Sequence, residues 1–168
     1  MESLTVRHAM TEDLPEIRNI YARARAFMRE TGNPNQWKNT TPTEAQTLGD
    51  LAGENLFVLT DSEGIAGVFA LFTEPDPTYA RIDGAWPNDL PYVTIHRIAS
   101  AGRRGGVVSS AVDFARSKGD RMRIDTHADN RVMQAALGKL GFTLCGTIYL
   151  ENGEPRLAYQ LEFASKKA

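Results

Sequence analysis

Two arginines and three glycines crowd one six-residue stretch, Ala101-Gly102-Arg103-Arg104-Gly105-Gly106. A strand pattern runs into it over 94–99, and an apolar helical pattern opens directly after it. A turn of this kind leaves several backbone N–H groups pointing outward at a helix N-terminus. Those free donors and the helix dipole favour an anion, above all a pyrophosphate. Arg103 and Arg104 place fixed positive charge beside them. The segment from 95 to 142 therefore carries most of the functional argument.

Other chemistries have less support. No Gly-Lys-Ser/Thr follows the loop, so a nucleotide phosphotransferase would lack its lysine and its magnesium hydroxyl. Cys145 is the only cysteine, which excludes an intrachain disulfide. Within Phe142-Thr143-Leu144-Cys145-Gly146 it reads as a small core residue. His8, His96 and His127 are scattered and show no metal-ligand spacing.

The elements that must position the loop are legible from pattern. The chain has 168 residues, 42% hydrophobic and 24% charged, which suits one soluble domain with a sizeable core. Its formal net charge of −2 gives no reason to expect nucleic acid as the main partner. Met1-Glu2-Ser3-Leu4 has neither a basic nor an apolar leader region. The apolar run Gly67-Val68-Phe69-Ala70-Leu71-Phe72 is too short to span a bilayer, so no membrane partner is expected and the cytoplasm is the expected location.

Residues 4–7 alternate as a strand, and Thr11 is placed to cap the helix on which Leu14, Ile17, Tyr21, Ala24 and Met28 share a face. Thr31-Gly32-Asn33-Pro34-Asn35 stops that helix. A second helix is predicted with Thr41 as N-cap, Pro42 at N1 and Glu44 at N3. Strands at 56–60 and 65–73 form a hairpin around Asp61-Ser62-Glu63-Gly64. Residues 74–91 read as an extended connection with one short strand near 79–82. After the loop come a helix with Val107, Val108, Ala111, Val112 and Ala115 on one face, and a strand at 121–126. Asn130 can cap a helix carrying Val132, Met133, Ala136, Leu137 and Leu140. Strands at 142–150 and 156–163 flank the Asn-Gly turn at 152–153. The order β-α-α-β-β-β-α-β-α-β-β predicts one α/β (α+β) domain over 1–164 with a mixed sheet, and a loose tail over 165–168.

This order resembles the GNAT superfamily of acetyl-CoA-dependent N-acetyltransferases over nearly the whole chain. The family's phosphate pattern, Gln/Arg-x-x-Gly-x-Gly/Ala after strand four, matches at Arg103 and Gly106 and departs at Val108. Asn130 and Gly141-Phe142 match the asparagine after strand five and the Gly-Phe that ends the next helix. The stretches at 32–37, 96–100 and 125–130 look like a bacterial subgroup of uncertain substrate.

The resemblance implies a mixed, mostly antiparallel sheet whose central strands splay apart, flanked by helices. It implies that the pantetheine arm of acetyl-CoA inserts between those strands. The backbone of Ile98, Ala99 and Ser100 would bond that arm, with Ile98 or Ala99 offering the oxyanion donor. The segment Arg103, Arg104, Gly105, Gly106, Val107, Val108 and Ser109 would hold the pyrophosphate, and the Asn130 side chain would reach the pantetheine. The implied activity is direct transfer of an acetyl group from acetyl-CoA to a primary amine of a small molecule or peptide. Dimers are common in the family, and exposed strand edges would allow a homodimer.

The family often places a catalytic tyrosine where this chain has Leu137, which leaves open a non-catalytic acyl-CoA-binding module. For an enzyme, His127 is the first substitute acid or base, with Asp125 two residues earlier to orient it. The alternative for both is capping or loop bonding. Tyr149 is a second candidate donor, His96 reads as structural, and Arg97 is expected to pair with Asp125 or another acid. In this fold the acceptor pocket is built from the helix–helix loop and the later hairpins, where Gln36, Trp37, Tyr79 and Trp86 fall. Glu74, Asp76 and Asp83 are candidates for an acceptor ammonium, or simply solvated acids.

Overall fold

The structure is a computed structural model and describes residues 2–164. The tail expected at 165–168 lies outside the described residues. Eight strands form one sheet in the order β1-β2-β3-β5-β6-β8-β7-β4. They are β1 Thr5–His8, β2 Leu56–Asp61, β3 Gly64–Phe72, β4 Asp83–Gly84, β5 Val93–Ser100, β6 Arg121–Thr126, β7 Thr143–Tyr149 and β8 Pro155–Glu162. Every pairing is antiparallel except β5 with β6.

Alternation along the strands divides the core. Phe57, Leu59, Phe69 and Leu71 pack with Val107, Ala111 and Val112 of helix α3 (Val107–Ala115) and Leu137 of α4 (Arg131–Lys139). Their neighbours Leu56, Val58 and Val68 pack on the other face with Ile17, Ile20 and Tyr21 of α1 (Leu14–Glu30). Helix α2 (Glu44–Ala52) adds the half-buried Leu51 there. Gly67 permits this closeness: a Cβ on it would stand 2.7 Å from Val107 Cγ1 and 3.0 Å from the Ala99 carbonyl oxygen.

The feature that creates a site is the opening between β5 and β6. Their ladder has two rungs only, Val93↔Met122 and Thr94↔Arg123. Beyond Thr94 each strand keeps its other partner, β3 for β5 and β8 for β6, and the two diverge. A bulge on β5 drives the divergence. Val68 pairs with Ala99 and Ala70 with His96, so Arg97 and Ile98 together oppose Phe69. A bulge bends its strand and increases local twist. Arg97 sits at φ 51, a left-handed conformation unusual for a side-chain-bearing residue. It is held there by two bonds from its guanidinium to Asp50, at 2.7 and 2.8 Å, while its carbonyl accepts from the Tyr21 hydroxyl at 2.9 Å.

Several local expectations are corrected. Thr11 does not cap α1; it lies in a short 3-10 turn, and the Asp13 carboxylate accepts the Met10 N–H at 2.8 Å while pairing with Arg7. The second helix starts two residues later than expected. Thr43, not Thr41, is its N-cap, in a reciprocal box with Gln46. Thr-x-x-Glu and Thr-x-x-Gln overlap in this sequence, and Glu44 is engaged elsewhere, with Arg18. Residues 79–82 are not a strand. Pro77–Tyr79 is a 3-10 turn capped by Asp76, and the short strand is β4, where Gly84 meets Gly146. Val132 faces solvent, at 52% exposure.

Candidate functional site

The first part of the site is the N-terminus of α3. Gly106 is its N-cap at φ 90, a left-handed conformation that glycine adopts without strain. The first amide to find an intrahelical partner is that of Ser110, which donates to the Gly106 carbonyl at 3.0 Å. Among the described residues, the N–H groups of Arg103, Arg104, Gly105, Gly106, Val107, Val108 and Ser109 have no acceptor. Nothing lies within 4 Å of where a Cβ on Gly105 or Gly106 would stand. The donors therefore surround open space, a cradle suited to a polyanion.

The two arginines are not the free charges that the sequence reading expected. Arg103 binds Asp61 at 2.6 and 2.8 Å and Glu63 at 3.1 Å, while Arg104 binds Asp61 at 3.0 Å and the Glu2 carbonyl at 2.8 Å. The Asp61 side chain is only 4% exposed, and the hydrogen bonds from Arg103 and then Arg104 hold its carboxyl far below the usual range. These arginines brace the β2–β3 turn against the loop. Among the described residues, the donors left without a partner at this loop are those of the backbone.

The second part is an open cleft of about 780 Å³ where β5 and β6 separate. Its floor includes Thr94 and His96 from β5 and Asp125 and Thr126 from β6. Its rim comes from the α1–α2 loop, the loop after β3 and the β7–β8 hairpin. Gln36 joins these pieces: its Oε1 accepts from Asn33 Nδ2 at 2.9 Å and from Asn130 Nδ2 at 2.8 Å. Asn130 also caps α4 through Oδ1, which accepts from the Met133 N–H at 3.0 Å. One Nδ2 hydrogen of Asn130 remains for a ligand. The Thr94 hydroxyl, 1% exposed at the last rung before the opening, has no partner among the described residues.

Most catalytic candidates move. The Asp125–His127 pair does not form. Asp125 accepts from the Tyr79 hydroxyl at 2.6 Å, whereas His127 Nδ1 accepts from the Asp129 N–H at 3.0 Å. Past the end of β6 the chain turns into the α4 cap, so strand alternation no longer puts the two side chains on one face. Tyr149 is exposed on β7 and donates to Asp83 at 2.6 Å, outside the cleft lining. That bond raises its phenol pKa, making it a poorer proton donor. Leu137 is fully buried. Cys145 is half-buried, and burial raises its thiol pKa, which opposes nucleophilic use.

The acceptor candidates divide. Gln36 and Trp37 line the cleft, with Trp37 edge-on to Tyr21. Tyr79 is buried behind it, and Trp86 donates from Nε1 to the Tyr79 carbonyl at 2.9 Å and stacks under Arg123, so both are packing residues. Of the acids, Glu74 and Glu151 line the cleft without a partner among the described residues. Asp83 is taken by Tyr149, and Arg97 pairs with Asp50 rather than Asp125.

One constellation was missed altogether. His96 Nε2 lies 2.7 Å from Asp76 Oδ2 on the cleft wall. Asp76 also accepts from the Thr78 N–H at 2.8 Å and its hydroxyl at 2.7 Å, and its own N–H donates to the Tyr92 hydroxyl at 2.9 Å. Burial pushes the Asp76 carboxyl up, but the bonds from His96 and Thr78 prevail and hold it at about 2. The two residues are twenty apart in sequence, and only the fold of the loop after β3 joins them.

No family model matches the sequence, and no curated protein matches it significantly. Solved structures do. A GNAT-family acetyltransferase from Streptococcus agalactiae is 28% identical, with 98% of each chain covered and a TM-score of 0.86. A GNAT-family acetyltransferase from Listeria monocytogenes is 19% identical over 95% of each chain, with a TM-score of 0.68. YncA from Salmonella typhimurium, solved with its cofactor acetyl-CoA, is 16% identical, covers 99% of this chain and 98% of its own, and has a TM-score of 0.63. The fold of this chain is that of the GNAT acetyltransferases.

Proposed function

We propose that this chain is an N-acetyltransferase that moves an acetyl group from acetyl-CoA to a primary amine. The observation that carries the reading is the run of unpartnered amides from Arg103 to Ser109, set where β5 leaves its ladder with β6. When bound, acetyl-CoA supplies an acetyl thioester open to attack by an amine. The residues here fit such a group: the cradle at Gly105 and Gly106 is open, and the β6-facing edge of β5 beyond Thr94 has no ladder partner.

In this reading the α3 amides bind the pyrophosphate with the helix dipole behind them. The backbone of Ile98, Ala99 and Ser100 binds the pantetheine arm as an added strand would, and the remaining Nδ2 hydrogen of Asn130 assists. A β5 amide near the bulge, at Ile98 or Ala99, stabilises the developing oxyanion. The acceptor enters the cleft between the 36–41 loop and the β7–β8 hairpin, where Glu74 and Glu151 favour an ammonium. Leu137 has no proton to give, so the departing sulfur is protonated from solvent in the open cleft.

The test is a thermal titration with acetyl-CoA, with ATP as control. A ligand that binds only the native state raises the melting temperature as its concentration passes Kd. A rise with acetyl-CoA and none with ATP supports the reading; no rise at millimolar acetyl-CoA refutes it. A rise without thiol release on any of an aliphatic diamine, tyramine and a free dipeptide favours a binding module, the alternative suggested by Leu137.

A further inference from the structure

We infer that His96 is the general base that deprotonates the acceptor amine, with Asp76 as its positioning residue. The inference rests on the transferase reading and names a residue that reading leaves unassigned. His96 lies one residue before the bulge, on the β5 wall of the cleft, with its side chain 24% exposed. The 2.7 Å bond to Asp76 assigns the Nε2 proton to the side facing the carboxylate. Nδ1 is then the ring's free lone pair, and no described residue bonds it.

Asp76 is itself fixed from three directions, by the Thr78 amide, the Thr78 hydroxyl and the Tyr92 hydroxyl. Phe72 and Tyr79 flank the imidazole, with ring centroids at 5.8 and 6.1 Å. A ring held in this way meets three demands on a base: its orientation is fixed, its tautomer is set, and its cation has a counter-ion. The charged and titratable groups around it are Glu74 and Asp76 from the loop after β3, Tyr79 from the 3-10 turn, and Asp125 from β6. Arg97 beside it on β5 is neutralised by Asp50.

The step balances. The acceptor ammonium gives one proton to Nδ1. Its nitrogen lone pair forms the new C–N bond at the thioester carbonyl. The C–S bond breaks, and its electron pair leaves with the thiolate. The acylated nitrogen, still carrying two hydrogens, releases one to solvent to give the neutral amide, and solvent protonates the thiolate. The imidazolium proton also passes to solvent, and Asp76 stays ionised throughout.

Three proteins are compared at 25 °C: the wild type, H96Q and D76N. Thiol release from acetyl-CoA is followed against pH, with whichever amine of the panel the wild type turns over fastest. In H96Q the glutamine amide can still donate to Asp76, so the wall is preserved without a base. H96Q is expected to lose about 10²–10³-fold in kcat, to keep acetyl-CoA affinity within about threefold, and to lose the acid limb of the kcat/KM profile. D76N is expected to lose about tenfold in kcat with KM nearly unchanged, because the imidazole loses the carboxylate that fixes its orientation and tautomer. A merely structural pair would shift melting temperature without moving the limb. H96Q with kcat within about threefold of wild type, or with its acid limb intact, overturns the inference and leaves the transferase reading standing. A wild type that binds acetyl-CoA but turns over no amine overturns both.

Discussion

The Asp50→Ala substitution tests how the cleft is held open. Arg97 is 20% exposed at its side chain, Asp50 is 8% exposed, and two bonds join them at 2.7 and 2.8 Å. Exposed ion pairs contribute at most about 1 kcal/mol. Truncating one partner of a fully buried pair costs about 3–5 kcal/mol. This pair lies between those limits and nearer the buried one, because Asp50 is on the buried face of α2 and Arg97 is already strained at φ 51. The expected loss is about 2–3 kcal/mol, or about 5–10 °C in melting temperature for a chain of this size. Urea unfolding followed by circular dichroism measures it. Arg97→Gly relieves the left-handed strain but orphans Asp50, so the double variant should lose about 2 kcal/mol less than the sum of the singles. Weaker acetyl-CoA binding should accompany Asp50→Ala, since Ile98, Ala99 and Ser100 follow the bulge directly. A loss below about 0.5 kcal/mol, or strict additivity in the cycle, would refute the claim that this pair sets the bulge.

Other outcomes follow from the same geometry. Asp76 has a carboxyl held at about 2 against an ordinary 3.8, so its stabilisation is present above pH 3.8 and lost as pH falls through about 2. Asp76→Asn should cost about 2 kcal/mol at pH 7, and the gap to wild type should shrink at pH 3; a gap independent of pH would contradict the assignment. Gly67→Ala forces a methyl against Val107 and the Ala99 carbonyl and should cost about 1–3 kcal/mol by chemical denaturation; a neutral result would mean that α3 shifts freely. Gly106→Glu should weaken acetyl-CoA binding more than tenfold, while Gly106→Ala, which adds only the strain of φ 90, should lower stability by about 1 kcal/mol and affect binding less. Equal affinities in a calorimetric titration would move the pyrophosphate elsewhere.

The frame of the molecule was readable because its signals are local. The β2–β3 hairpin is announced by two short, continuous apolar runs around a polar turn, and α3 by an apolar face directly after glycines. The run of free amides before α3 was legible for the same reason, since backbone donors at a helix start need only the right turn chemistry. The charge beside it was misread, because Asp61, 42 and 43 residues away, absorbs both arginines. The His96–Asp76 wall of the cleft was least legible. His96 looks like an ordinary strand residue until the loop after β3 folds back and delivers Asp76. Asp125 and His127 look paired only if the strand continues, and it ends at Thr126. Trp86 and Tyr79 lie in a loop rich in proline and glycine, yet they form a small core of their own with Ile148 and Ala158.

The most direct test of the account is amine-dependent thiol release. The protein is mixed with acetyl-CoA, and each amine of the panel is added in turn while free thiol and acetylated amine are measured together. The account predicts that at least one amine starts release, with one thiol freed for each amine acetylated. Bound acetyl-CoA with no amine-dependent release from any of them would contradict it.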